Sequence, residues 1–350
     1  MKPLSLVALA VLLELQACAK VTRAPETRNA AQPDAGRIDG ARTSATPGDA
    51  ARNADGAKAC DCAARYPTTL AEAPRPTRLV LDDTSAYFTA CDVGARPGSV
   101  RRVALSGGAA VELASGPACP TDVVWYAGNV YVAGLAGDGV VRVPAAGGDP
   151  TTLVDAATPL AGLATDGSDL YATAATAVLK APLDGGDFAP LVSLPMQRGA
   201  TRPVLDEHDV YWADPVLGSV YGVAKNGGDV ATLASGLGGA SAVALAGSAL
   251  YVAAGYVVVK IPLAGGAPVT LGTAAGAEVL ALAIGDSGVY FTSTGVVWTL
   301  PLGGGAPLAL ASDRGDLDSV ATDETDLFWT ASQACDASDC PGRVERLSLK

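Results

Sequence analysis

The sequence predicts an all-β fold, a seven-bladed β-propeller of four-stranded blades whose last blade is completed by an N-terminal strand. Three observations carry that expectation. A pair led by an aromatic residue recurs seven times at a spacing near 40 residues, and a Gly-Gly turn follows at matching intervals. The last copy stops one strand short, while a spare copy of that strand precedes the first unit. Four short strands in about 40 residues is the pattern of a propeller blade.

The recurring pair reads Tyr87-Phe88, Tyr131-Val132, Tyr171-Ala172, Tyr211-Trp212, Tyr251-Val252, Tyr290-Phe291 and Phe328-Trp329. A second marker follows, as in Arg102-Val103-Ala104, Arg142-Val143-Pro144, Lys180-Ala181-Pro182, Lys260-Ile261-Pro262, Thr299-Leu300-Pro301 and Arg346-Leu347-Ser348. Gly-Gly stands at 107, 147, 185, 227, 265 and 304. Each unit then reads as an apolar first strand, a tight Asp/Gly/Ser turn, a second strand opening on the pair and a third closing on the basic marker. Gly-Gly is expected to supply the positive φ of a two-residue hairpin turn before a fourth strand such as Thr151–Val154.

The chain ends after the third strand of unit seven. Pro67–Ala71 matches Pro150–Val154 at four consecutive positions, so it is expected to pair beside residues 343–349, closing the ring and covering a bare sheet edge. An aromatic at one fixed strand position in every blade is expected to pack between sheets rather than to stack a ligand.

Tyr211-Trp212-Ala213-Asp214, Phe328-Trp329-Thr330 and the Arg-Val-Pro-type element before Gly-Gly resemble the YWTD-type and TolB-like propeller repeats over roughly residues 66–350. That resemblance implies an architecture and no particular chemistry. Those families are usually counted as six-bladed, which makes six the alternative to the seven counted from the repeat.

Residues 1–18 read as an export signal. Lys2 precedes the apolar run Pro3–Leu13, too short for the roughly 20 residues of a membrane-spanning helix. Leu15-Gln16-Ala17-Cys18 resembles the lipobox of bacterial lipoproteins, which implies Cys18 as the lipid acceptor; Glu14 and Gln16 depart from the pattern. The alternative is plain secretion, with cleavage after Ala19. Residues 19–59 lack Leu, Phe, Tyr, Trp and Met and read as a disordered tether spanning roughly 35 Å as a flexible coil. Residues 60–350 are the single propeller domain. The uncharged stretch Val230–Val259 keeps the turn positions of the repeat, so it is assigned to short strands rather than to a membrane span.

The net charge is −12, and residues 60–350 hold 16 Lys/Arg against 30 Asp/Glu. Such a surface repels a phosphate backbone, so nucleic acid is excluded as a partner. No nucleotide-binding or nucleophile-elbow motif occurs. Gly285-Asp286-Ser287-Gly288 resembles a serine-protease motif but falls at a strand turn, as does the single histidine, His208. Arg314-Gly315-Asp316 matches an adhesion tripeptide and reads as coincidence. With Cys18 set aside, six cysteines remain, an even number that suits disulfides in an exported chain. Propeller topology places Cys91, Cys119, Cys335 and Cys340 on one face. It favours Cys91 with Cys119 and Cys335 with Cys340, leaving Cys60 and Cys62 joined to each other or paired elsewhere.

The repeat is broken by long loops between the second and third strands of blades one and seven, and less so of blades two and four. Loops on a rigid frame commonly carry binding groups. The functional expectation is therefore an envelope-tethered, non-enzymatic propeller that binds a protein, peptide or glycan without a cofactor, through Asp92, Arg96, Arg198, Asp316, Asp336 and Asp339. The alternative is a metal-assisted hydrolase, lactonase or lyase, with Asp92, Asp313, Asp316, Asp336 and Asp339 holding Ca²⁺ or Mg²⁺ through oxygen ligands at the channel mouth.

Overall fold

The computed structural model describes residues 66–91, 98–116, 118–135, 139–156, 158–194, 200–274, 276–333 and 341–350. These residues form 28 strands in seven four-stranded antiparallel sheets. Blades one to six cover residues 76–116, 122–154, 160–193, 204–234, 240–273 and 281–311. Blade seven takes residues 316–348 and, as its outer strand, Thr68–Pro74. The first strands of successive blades touch one another, and that of blade seven touches that of blade one, so the ring is closed with seven blades and not six.

Closure follows the sequence match. Thr68–Pro74 pairs antiparallel with Pro341–Ser348 in the register Thr68↔Arg346, Ala71↔Val344 and Pro74↔Pro341. It also contributes Leu70, Ala71 and Ala73 to one apolar cluster with Phe328 and Val344 of blade seven and Leu79, Phe88 and Val103 of blade one. Six further clusters fill the six remaining blade interfaces.

The recurring pair explains why there is one cluster per interface. Successive residues of a strand point to opposite faces. The first member of each pair packs toward the following blade, as Tyr87 does against Val123 and Val130, and both members are buried in all seven blades. The Val230–Val259 stretch is likewise made of strand and turn segments of blades four and five.

The turn after the first strand is a repeated lock. In blades one, three and four an Asp carboxylate accepts two backbone N–H groups through one oxygen and a Tyr hydroxyl five residues on through the other. Asp82 thus takes Thr84 and Ser85 at 2.8 and 2.7 Å and Tyr87 at 2.7 Å. Asp166 serves Ser168, Asp169 and Tyr171, and Asp206 serves His208, Asp209 and Tyr211. His208 is therefore a turn residue, as its position in the repeat predicts. Asp166 also meets Lys225 of the next blade at 3.0 Å. Although desolvation acts to raise it, the Asp169 and Ser168 N–H groups and the Lys225 ammonium hold the carboxyl at about 2, below its ordinary 3.8. A depressed carboxyl stabilises the fold fully above its unfolded value, and loses that contribution as pH falls through its folded value. Asp166→Asn is expected to cost about 1–2 kcal/mol at pH 7, with the gap to the parent closing as pH falls from about 4 to below 2. Urea midpoints across that range check it; a gap as large at pH 2 as at pH 7 would contradict the assignment.

The Gly-Gly positions differ from the two-residue hairpin expected. Strands three and four of blade one end and begin at Ala104 and Val111, leaving a six-residue connection. Gly107 N–H donates to Ala104 carbonyl at 2.8 Å, closing a β-turn whose corner is Leu105-Ser106, and the two glycines leave it at φ of 89° and 133°. Glycine is needed because the chain must swing outward with positive φ, which a side chain disfavours. The longer connection accompanies a bulge between strands three and four of blade one at Val100/Arg101, repeated at Val178/Leu179, Val220/Tyr221, Val258/Val259 and Val297/Trp298.

Candidate functional site

Antiparallel succession sends the links between blades, and the turns between second and third strands, to one face of the ring, here termed the loop face. Cys91 follows the second strand of blade one, Cys119 lies in the link to blade two, and they form a disulfide with Cα atoms 5.2 Å apart. Closing a ring between residues 28 apart contributes about 3.6 kcal/mol on a loop-entropy basis. The bond suits an oxidising, exported environment. Cys18, Cys60, Cys62, Cys335 and Cys340 lie outside the described residues.

Of the binding residues expected from sequence, Asp316 is placed, exposed at the start of the first strand of blade seven on the loop face. Asp92, Arg96, Arg198, Asp336 and Asp339 lie outside the described residues. Asp313, also exposed, precedes Asp316 in the same link and holds φ of 59°. Among the described residues no three His, Cys, Asp or Glu side chains converge as a cation site.

The first strands of blades seven and one bring Asp318 and Arg78 toward the same mouth, with Arg75 at the corner between the closing strand and blade one. Desolvation raises the Asp318 carboxyl above its ordinary range, against the pull of Arg78 and Arg75 and with a push from Asp316. Arg202, in the link before blade four, is committed elsewhere. It lies 3.3 Å from the buried Asp122 carboxylate and donates to the carbonyls of Val123 and Leu163, fastening blades two and three.

Blades four to six present the opposite character. Their links and turns on this face, residues 215–218, 235–239, 255–256, 274–280 and 294–295, carry Glu278 as their one charge. Asp214, fully buried, accepts the N–H groups of Val216 and Leu217 at 2.8 and 2.9 Å, so the turn holds both side chains outward. Val216 is 67% exposed, Leu217 55%, Tyr256 53% and Leu280 40%. These are four of the eight exposed large hydrophobics among the described residues. Backbone hydrogen bonds tie together the segments that carry this apolar ledge: Leu237 donates to Gly218, Gly255 to Gly239, and Val279 to Gly255. Gly218 has φ of 58°, and a Cβ there would collide with the Leu237 carbonyl, so glycine permits the first of these contacts.

A cavity of about 460 Å³ opens on the loop face of blade seven, lined by Glu72, Pro74, Arg314, Ser332, Gln333 and Arg343. Beneath it Glu345, 2% exposed, accepts Arg314 Nη1 at 3.2 Å and Arg343 Nε at 2.8 Å on one oxygen, and Trp329 Nε1 at 2.7 Å on the other. Sequence reasoning missed both arginines. The signal available was the alternation of Arg343 and Glu345 along one strand, which puts them on the same side of the sheet.

No protein-family model and no curated protein matches the chain. Solved structures match it in fold. Virginiamycin B lyase from Staphylococcus aureus aligns at 13% identity and a TM-score of 0.65, over 81% of this chain and 99% of that one. U3-55K aligns at 14% and 0.64, over 81% and 98%. A chain of the nidogen/laminin complex aligns at 19% and 0.50, over 59% and 88%. At such identities the likeness speaks for the fold alone. With seven closed four-stranded blades and a disulfide on its loop face, the chain is a β-propeller repeat protein.

Proposed function

We propose that the protein is a membrane-tethered, exported binding module without catalytic activity, which holds a protein, peptide or glycan of the cell envelope against its loop face. The observation that carries this reading is the apolar ledge of Val216, Leu217, Tyr256 and Leu280, facing a charged half at blades seven and one. Exposed apolar surface rimmed by polar groups is costly unless a partner covers it. A rigid ring offering that surface beside elaborated loops has the anatomy of an interface, with an apolar centre and a polar rim. The lipid anchor rests on Cys18 and the lipobox resemblance, and the two acyl-type signals that make anchoring stable would come from that one residue.

Two manipulations test the reading. Cys18→Ala is expected to move the protein from the membrane to the soluble fraction; a variant that stays membrane-bound would refute the anchor. Replacing Asp92–Pro97 and Ala334–Cys340 by short Gly-containing turns is expected to abolish capture of the envelope partner with the propeller intact. The same treatment of Gly265-Gly266 on the opposite face leaves capture unchanged. Full capture after both loop replacements would count against the loop face.

A further inference from the structure

We propose that the blade-seven cavity receives the C-terminal carboxylate of a peptide, gripped by the guanidinium groups of Arg314 and Arg343. This deepens, and rests on, the reading of the loop face as the binding surface. At about 460 Å³ the cavity falls within the roughly 300–1,000 Å³ of small-ligand sites. A guanidinium offers five N–H donors in a planar fork that fits a carboxylate on two of them. Each arginine spends one donor group on Glu345, Arg314 through Nη1 and Arg343 through Nε. The Nε–H of Arg314 is buried and has no partner among the described residues. The guanidinium forks rather than a net charge hold the carboxylate, since Glu72 on the rim offsets one of the two positive charges and the buried Glu345 cancels the other. Its second oxygen is pinned by Trp329, so the pair is held in place before any ligand arrives.

The remaining lining selects among carboxylates. Ala73, Pro74, Ala331 and Pro341 supply small apolar walls, and none of the described lining residues is aromatic. A sugar acid would lack the flat face on which pyranose rings stack, whereas the small apolar side chains at a peptide's end fit such walls. Glu72, on the rim, repels a second anionic group and favours a basic side chain a residue or two before the terminus.

The test uses the full chain and three probes: N-acetyl-Lys-Ala-Ala with a free carboxylate, the same peptide as its C-terminal amide, and glucuronate. The readout is the Nε–H resonances of Arg314 and Arg343, identified by their loss in Arg314→Gln and Arg343→Gln. The free acid is expected to shift both resonances saturably and to bind at least tenfold more tightly than the amide. Arg343→Gln weakens the acid at least tenfold, and Arg101→Gln, whose partner is Glu112 on an outer strand, leaves it unchanged. The acid-to-amide comparison on the unaltered protein stands even if Arg343→Gln misfolds. Equal binding of acid and amide, glucuronate binding as tightly as the acid, or no saturable shift from the acid would each overturn the proposal. If the proposal fell while loop-face variants still lost the envelope partner, the binding-surface reading would survive it.

Discussion

A chain beginning at residue 75 is expected to lose the monomeric fold that a chain beginning at residue 66 keeps. The difference is the strand Thr68–Pro74, which completes blade seven and buries Leu70, Ala71 and Ala73 to about one-twentieth exposure or less than a tenth. Their burial is worth about 3–4 kcal/mol, and the ladder to Pro341–Ser348 adds about 0.5–1.5 kcal/mol per hydrogen bond. That total of about 5 kcal/mol or more is comparable with the whole stability of a typical domain, about 5–15 kcal/mol. The cut also opens the cluster joining blade seven to blade one, so the ring loses its seam, and Pro341–Ser348 becomes a bare edge that templates aggregation. Thermal unfolding and size exclusion check it. Equal midpoints and monomeric elution for the two chains would contradict closure by this strand.

The paired substitution Leu217→Asp with Tyr256→Asp is expected to weaken capture of the envelope partner by about 30-fold or more, equivalent to about 2 kcal/mol, the lower bound for an interface hot spot. Both side chains are more than half exposed, and substitutions at such positions change stability by about 0.5 kcal/mol or less. Thermal midpoint and affinity should therefore part company. The charges act through desolvation, since a carboxylate buried without a counter-charge in an apolar contact is costly. The comparison is made with the partner eluted from the unsubstituted protein. An affinity unchanged by both charges would remove the ledge from the interface.

Much of the architecture was legible because a propeller writes its core seven times. One pair per unit gave the blade count, and the Pro-Thr-Thr-Leu echo at residues 67–70 gave the closing strand. Cys91 and Cys119 could be matched because topology puts their loops on one face. What escaped was whatever depends on how a turn is aimed. Val216, Leu217 and Tyr256 are the residue types of the core, and only the Asp214 turn and the Gly255 link hold them outward. Arg314 was legible as part of a coincidental tripeptide and Arg343 as a strand residue. Their convergence on Glu345 needs the link before blade seven and the last strand together, residues about 30 apart that no repeat relates. The Gly-Gly turns were misjudged by length, because the bulged outer pair needs six residues where a flush hairpin needs two.

The most direct test of the binding-surface account is photo-crosslinking in the intact envelope, with a benzophenone side chain placed at Tyr256 on the ledge or at Ala264 on the opposite face. The account predicts one discrete adduct from position 256, lost when Leu217→Asp is added, and none from position 264. A discrete adduct from position 264 with none from position 256 would contradict it and place the working surface on the other side of the ring.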